Sequence, residues 1–302
     1  MVGRFAPSPS GLMHLGNART ALLAWLDARA RGGRMLLRIE DLDRDRCRPE
    51  YADAIRRDLA WLGLDWDDET PPQSQRGARY DAAIEQLAAA GHVYECFCTR
   101  REIRDAAQAP HGSDPDGRYP GTCRELTSTQ RNVHLDAGRR AALRLRTDGR
   151  DVSFDDLFSG THTARLDDVV VQRNDGVPAY NLAVVVDDAV QGVTQVVRGD
   201  DLIAATPRQI ELQRLLDLPV LEYAHVPLVL GPDGNRLAKR HGAVTLDDLA
   251  RRGRSPSDVC ARLASSLGID TGGRPTSAGE LLDVFDPDCM PTTAWQLTVD
   301  EL

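Results

Sequence analysis

The sequence predicts an α/β fold, a nucleotide-type sheet interrupted by an insertion and followed by a small helical region. Three observations carry this. Residues 2–6 and 35–39 are short apolar runs joined by a long helical stretch, the pattern of a β–α–β crossover. From about 94 to 170 the rhythm breaks into paired cysteines, a Pro/Gly/Asp-rich loop at 106–117 and short strands such as 141–146. It then resumes with a strand at 169–172, an Asn174-Asp175-Gly176 hairpin turn and a buried strand at 193–198.

The first strand ends in Arg4-Phe5-Ala6-Pro7-Ser8-Pro9-Ser10-Gly11, and Met13-His14-Leu15-Gly16-Asn17 opens the helix. Ala18, Leu22, Trp25, Leu26 and Arg29 follow at three- and four-residue spacing. A small-residue loop over a helix N-terminus is an anion site, because unpaired backbone N–H groups and the positive end of the dipole face outward. His14 and Asn17 add side-chain donors at that end; His14 read alone is equally a surface residue near a helix cap. Further helices are expected over 51–62, where Ile55, Leu59 and Leu62 make an apolar stripe, and over 77–90, ended by Gly91. After Thr245 the pattern is mainly helical, with loops near 271–275 and 286–291, and no internal repeat is present.

Composition bounds the class. The chain has 302 residues, 41% hydrophobic and 27% charged, ample for a core and one or two domains. No apolar run reaches about 18 residues and no secretory h-region opens the chain, so a cytoplasmic protein without a membrane partner is expected. Six cysteines in such a chain argue for thiols or metal rather than a disulfide framework. The net charge of −9 requires any RNA partner to meet a local basic face. Candidates are Arg100, Arg101, Arg104, Arg118, Arg124, Arg139, Arg140, Arg144 and Arg146, then Arg236, Lys239, Arg240, Arg251, Arg252 and Arg254.

A second signal is Gly231-Pro232-Asp233-Gly234-Asn235-Arg236-Leu237-Ala238-Lys239-Arg240-His241-Gly242, a tight turn delivering a short basic loop. Such a loop is either a solvated surface run or a means of bringing Lys239 to nucleotide phosphates, where a cation stabilises developing charge.

These two segments resemble the His-Ile-Gly-His and Lys-Met-Ser-Lys-Ser signatures of class I aminoacyl-tRNA synthetases, the first in the His-x-Gly-Asn form of their glutamate branch. Residues 34–43 (RMLLRIEDLD), 73–76 (QSQR), 179–188 (AYNLAVVVDD) and 193–201 (VTQVVRGDD) are similar to the same branch, so the likeness spans most of the first 245 residues. After Lys239 the sequence runs only to Leu302, too short for a large anticodon-binding region, and this shorter form resembles the glutamyl-queuosine tRNA(Asp) synthetase family.

The resemblance implies a Rossmann-like class I catalytic core. The expected divisions are 1–93 as first half, 94–170 as zinc-bearing insertion, 171–235 as second half, and 236–302 as basic loop and helical C-terminal subdomain, with no anticodon-binding domain. It implies a ligase that activates L-glutamate with ATP and Mg²⁺, then esterifies the queuosine base in the anticodon loop of tRNA(Asp). A truncated glutamyl-tRNA synthetase charging a 3′ end, or a non-catalytic synthetase-derived RNA-binding module, are the rival expectations; a monomer is expected. Arg4, Ser8, Glu40, Tyr180 and Arg198 are implied to line the amino-acid site, Glu40 taking the α-ammonium. Pro7, Ser8, His14, Gly16, Asn17 and Lys239 are implied to meet ATP, with His14, Asn17 and Lys239 catalytic. Physical chemistry agrees with that set. A dicarboxylate amino acid needs about two cations and one anion, and Arg4 and Arg198 are otherwise hard to justify near the ends of apolar strands. Asp41, Asp43, Asp187 and Asp188, read as strand-end carboxylates, suit either Mg²⁺ or helix caps.

Cys96-Phe97-Cys98 and Tyr119-Pro120-Gly121-Thr122-Cys123 place three thiols on two short segments, which suits tetrahedral zinc. The resemblance implies Cys96, Cys98, Tyr119 and Cys123 as ligands of one structural zinc. His111 or His134 remains an alternative to Tyr119, since imidazole is the commoner ligand. Cys47, Cys260 and Cys289 read as plain thiols. Arg236, Ala238 and Arg240 depart from the basic signature, while its second lysine, Lys239, is present.

Overall fold

The structure is a computed structural model and describes residues 1–107, 119–235, 237, 245–287, 290 and 292–298. The chain begins with β1 (Val2–Phe5), α1 (Leu15–Ala30), β2 (Arg34–Arg38), α2 (Pro49–Leu62) and β3 (Asp68–Thr70). The three strands pair in parallel in the order β1-β2-β3, so the expected crossover is present, with Arg4 opposite Leu36. Next come α3 (Gly77–Ala89), β4 (Val93–Cys96), α4 (Arg100–Ala107), α5 (Ser128–Asp136), β5 (Ala142–Leu145), β6 (Asp151–Asp156), β7 (Gly160–Arg165) and β8 (Val170–Gln172). Gly91 ends the α3 turn with φ +74°, which a residue without Cβ adopts freely. The remaining elements are α6 (Tyr180–Val190), β9 (Gln195–Gly199), α7 (Thr206–Leu215), β10 (Glu222–Val226), β11 (Val229–Leu230), α8 (Leu246–Arg251), α9 (Pro256–Ser266), α10 (Ala278–Leu281) and β12 (Trp295–Gln296).

A second sheet runs β7-β6-β10-β9. Its β9 meets β1 of the first sheet. Thr194 N donates to Val2 O at 2.9 Å, Val2 N donates to Thr194 Oγ1 at 2.9 Å, and Arg4 NH1 donates to Val197 O at 3.2 Å. The carboxyl ends of β1, β2 and β9 therefore lie together, the place where sheets of this kind bind ligands. The β6–β7 hairpin falls within 94–170 yet pairs with β10, Tyr223 opposite Asp156. The alternating burial of β6 explains this. Val152 and Phe154 point into a core shared with Val196, Ile210 and Tyr223. Cys96 instead ends β4 of a separate antiparallel sheet, β4-β5-β8.

Helix α1 is buried on most sides, because α9 and α10 close over the face turned away from the sheet. Three reciprocal capping boxes start the C-terminal helices: Thr245 with Asp248, Ser255 with Asp258, Ser277 with Glu280. β12 pairs in parallel with β11, Val229 opposite Trp295, a strand in a region whose pattern reads as helix and loop. Among the described residues no helix is long and apolar enough to cross a membrane.

Arg38, wholly buried at the end of β2, ties the halves together. It donates to Glu40 Oε1 at 3.0 Å, to Asp188 Oδ1 at 2.6 Å and to Gln191 Oε1 at 2.8 Å. Asp187 lies 3.9 Å away and pairs with Arg76 at 3.1 Å. Removing one member of such a cluster strands the other charges in a dry site. Arg38→Met is expected to cost about 3–5 kcal/mol of unfolding free energy, read by urea denaturation; an unchanged midpoint would show that the cluster is not needed for stability.

Candidate active site

A cleft of about 610 Å³ opens at the carboxyl ends of β1, β2 and β9. It brings together Arg4, Pro7, Ser8, His14, Gly16, Asn17, Glu40, Tyr180 and Arg198, every cleft residue expected from the sequence except Lys239. Lys239 lies outside the described residues, with Arg236, Ala238 and Arg240.

The loop between β1 and α1 is held by its carbonyls. Glu40 N donates to Pro7 O at 3.0 Å and Arg48 N to Pro9 O at 2.9 Å. His14 is both cap and cleft residue. Its Nδ1 accepts from Asn17 N at 3.4 Å, which leaves the proton of a neutral ring on Nε2. No acidic side chain occupies the first turn of α1 itself. Gly16 is required by close approach: a Cβ there would lie 3.1 Å from His14 Cε1 and 3.2 Å from its Nδ1.

Two buried arginines face this helix end. Arg4 is 4% and Arg198 5% exposed. Arg4 Nε lies 3.5 Å from Asp188. Arg198 donates to His225 and Thr206, neither of which the motifs had marked. Burial pushes the Glu40 carboxyl above its usual range, against the pull of Arg38 and Arg4. Tyr180 opens α6 and stands over the cleft, 39% exposed.

The aspartates differ from expectation. Asp187 and Asp188 lie on α6, not at a strand end, and are spent inside the fold. Asp187 accepts from Gln73 at 2.8 Å and Tyr80 at 2.9 Å, and Asp188 from Arg38. Asp41 accepts from Ser74 N and Oγ, at 2.8 and 2.5 Å. Arg38, interrupting the apolar run 35–39, was the one local signal for this cluster; nothing local marked its partners on α6.

A second cleft of about 700 Å³ adjoins the first, and Ser8, Glu40 and Tyr180 line both. Of the expected basic residues Arg100, Arg140 and Arg144 line it, together with Arg173, which is paired with Asp175 at 2.6 Å, and Asp43. Other expected basic-face residues are paired instead: Arg124 with Asp168 at 2.7 Å, Arg139 with Glu102 at 2.8 Å, Arg146 with Glu125 at 2.7 Å, and Arg251 with Asp247. Arg118 and the side chain of Arg104 lie outside the described residues.

The second cleft reaches Cys96 and Cys98. With Cys123 their Sγ atoms lie within 4.8 Å of one another. Tyr119 Oη is 3.3 Å from Cys96 Sγ and 3.7 Å from Cys98 Sγ, and accepts from Cys123 N at 2.8 Å. Hydrogen bonding from Cys98, with help from Tyr119 and Arg144, pulls the Cys96 thiol below its usual range while Cys98 is pushed up. A site that already favours one thiolate among three sulfurs and a phenol fits a tetrahedral cation. His134 instead stacks on Phe97, ring centroids 4.8 Å apart. His111 and Cys289 lie outside the described residues. Cys47 and Cys260 sit apart, their thiols near Glu40 O and Leu62 O.

The flanks of the basic loop are anchored at the first cleft. Gly231 N donates to Asn235 O at 2.7 Å, Gly234 turns the chain at φ +73°, and buried Leu237 returns to Val229 O at 3.0 Å and lines the cleft. Thr245 bridges to His14.

Sheet order, helix-terminal loop and anchored basic loop together define a class I aminoacyl-tRNA synthetase catalytic domain. The family model described as tRNA synthetases class I (E and Q), catalytic domain, matches residues 1–273. The chain belongs to the glutamyl-Q tRNA(Asp) synthetases within that class. It is 58% identical to the glutamyl-Q tRNA(Asp) synthetase of Nocardia farcinica, over 98% of this chain and 93% of that one. It is 50% identical to that of Symbiobacterium thermophilum, over 95% and 92%. A glutamate–tRNA ligase of Oleidesulfovibrio alaskensis is 44% identical over 97% of this chain but 63% of its own length. A crystal structure of a glutamate tRNA ligase from Elizabethkingia meningosepticum, in complex with its amino acid, superposes with a TM-score of 0.85 at 26% identity, covering all of this chain and 68% of that one.

Gly16→Ala is expected to displace the His14 ring and lower adenylate formation at least about tenfold, with little change in thermal stability. Full activity in that variant would show that the ring's position is not critical.

Proposed function

We propose that the protein activates L-glutamate with ATP to glutamyl-adenylate and transfers the glutamyl group to the queuosine base in the anticodon loop of tRNA(Asp). The observation that carries the reading is one cleft holding Arg4, Arg198 and Glu40 against the N-terminus of α1, whose first turn carries no acidic side chain. Higher identity to the glutamyl-Q enzymes than to the glutamate–tRNA ligase, 58% and 50% against 44%, supports the acceptor assignment.

In this reading Glu40 takes the α-ammonium, Arg4 and Arg198 take carboxylates, and Ser8 and Tyr180 complete the wall. A glutamate carboxylate oxygen attacks the α-phosphorus of ATP in line, and the bond to pyrophosphate breaks. His14 Nε2–H, Asn17 and the first turn of α1 donate to phosphate oxygens. Lys239 follows Leu237 by two residues, at most about 7 Å of extended chain, and neutralises charge on the leaving group. Mg²⁺ would accompany the nucleotide and supply positive charge to its phosphates. A hydroxyl of the queuosine ring then attacks the mixed anhydride carbonyl, AMP leaves, and an ester remains. The acceptor enters through the second cleft, past Arg100 and Arg140, whose charges suit phosphate. Cys96, Cys98, Cys123 and Tyr119 would hold zinc, which would close a lobe whose own apolar core is small. Residues 1–93 and 171–235 act as the two halves of the catalytic core, 94–170 as an insertion whose β6–β7 hairpin packs back onto the second sheet, and 236–302 as the basic loop with its helical subdomain.

ATP–pyrophosphate exchange without tRNA is expected with glutamate and not with glutamine or aspartate. Lys239→Ala is expected to lower it about a hundredfold. Exchange only in the presence of tRNA would point to a 3′-end-charging enzyme, and none under any condition to a non-catalytic module. Purified protein is expected to carry one zinc per chain by elemental analysis, and Cys98→Ser to lose it together with several degrees of melting temperature. Metal-free protein of unchanged stability would remove zinc from the account.

A further inference from the structure

Behind the first cleft, Arg198 is held by polar groups that do not line it. Asp156 ends β6, His225 lies on β10 and Thr206 opens α7, so three elements converge on one guanidinium. His225 Nδ1 is 2.6 Å from Asp156 Oδ2, and both side chains are fully buried. Arg198 Nε–H donates to His225 Nε2 at 3.1 Å, and its NH2 group donates to Thr206 Oγ1 at 2.8 Å. Tyr223 lies against the same group, its ring centroid 5.2 Å from Arg198 Cζ.

Thr206 Oγ1 accepts from Arg198, and its own hydroxyl proton has two acceptors in reach, Leu202 O and a bare His225 Nε2, each at 3.2 Å. His225 Nε2 accepts only when bare, which puts the ring proton on Nδ1, where Asp156 receives it. A charged imidazolium would set Nε2–H against Arg198 Nε–H, donor facing donor. Burial pushes the His225 ring below the usual imidazole range, against the pull of Asp156, while Arg198 and the His162 ring of β7 push the same way. The ring is therefore neutral at pH 7 and bare toward Arg198. The Nε/NH2 edge of the guanidinium is consumed inside the fold, and its NH1/NH2 end is left for the cleft.

We infer that His225, oriented by Asp156 and assisted by Thr206, is a positioning residue that aims Arg198 for a two-point grip on a carboxylate of the amino-acid substrate. This rests on Arg198 being a glutamate ligand. Asp156 has a second task, since it also accepts from the backbone N–H groups of Phe158, Ser159 and His225. His225 has no comparable backbone duty, so it separates positioning from scaffolding. Without the clamp the guanidinium rotates, and the parallel hydrogen bonds that make an arginine–carboxylate pair selective are lost.

The test is glutamate-dependent ATP–pyrophosphate exchange with glutamate and ATP titrated separately. In His225→Gln, an amide oxygen stands where Nε2 accepts. Its KM for glutamate is expected within about threefold of the parent protein, while His225→Leu, of similar volume but with no acceptor, raises it at least about tenfold with KM for ATP unchanged. Thr206→Val, nearly isosteric, is expected to raise KM for glutamate severalfold with KM for ATP unchanged. A normal KM for glutamate in the leucine variant overturns the inference. So do equal losses in the glutamine and leucine variants with the two KM values rising together, the mark of a merely structural residue. If the leucine variant fails to fold, Thr206→Val decides, and an unchanged KM for glutamate there is fatal to the inference. Absence of glutamate-dependent exchange in the parent protein is a different failure, that of the activity itself.

Discussion

Arg38 and the carboxylates around it are the constraint on which the cleft depends. A guanidinium with no access to water is stable only if anions surround it, and Glu40, Asp187 and Asp188 supply them from two halves of the chain far apart in sequence. Asp188 also contacts Arg4, and Asp187 also contacts Arg76. The cluster therefore fixes β1, β2, the segment before α3, and α6 relative to one another. It holds Glu40 and Arg4 at the cleft, each against a neighbour of opposite sign.

The helix end opposite is built on a different economy of groups. His14 satisfies one orphan N–H of α1 with one ring nitrogen and thereby presents the other as a donor. Gly16 leaves room for that ring, and the bridge from His14 to Thr245 ties the start of α1 to the far end of the basic loop. The capping role of His14 is the one the geometry displays, and the proposed phosphate contact draws on the ring nitrogen that the cap leaves over.

Most of the cleft was legible because its charges interrupt apolar strands or sit in a short signature next to a helix start. Arg4, Arg198, Glu40 and the His14–Asn17 turn all have local context of this kind. Asp156 and His225 do not: 69 residues separate them, and each looks ordinary among its neighbours. The run Val184–Val186 favours extended structure by propensity, yet α6 is helical because packing against α3 and α7 buries it, and this carried Asp187 and Asp188 into the core. The β6–β7 hairpin joined the second sheet, and Trp295–Gln296 paired with β11, through contacts across the fold that no local pattern specifies.

Ser8, Glu40 and Tyr180 face both clefts at once. A side chain with two outlooks serves two sets of neighbours, and a change that suits one space is judged by the other as well. The variation open to these three positions is the overlap of what each cleft tolerates. Residues such as Arg173, which line one cleft alone, carry no such double obligation. Within this architecture the mouth beyond the shared wall is free to diverge toward new partners, while the wall itself is held in place by the chemistry on its other face.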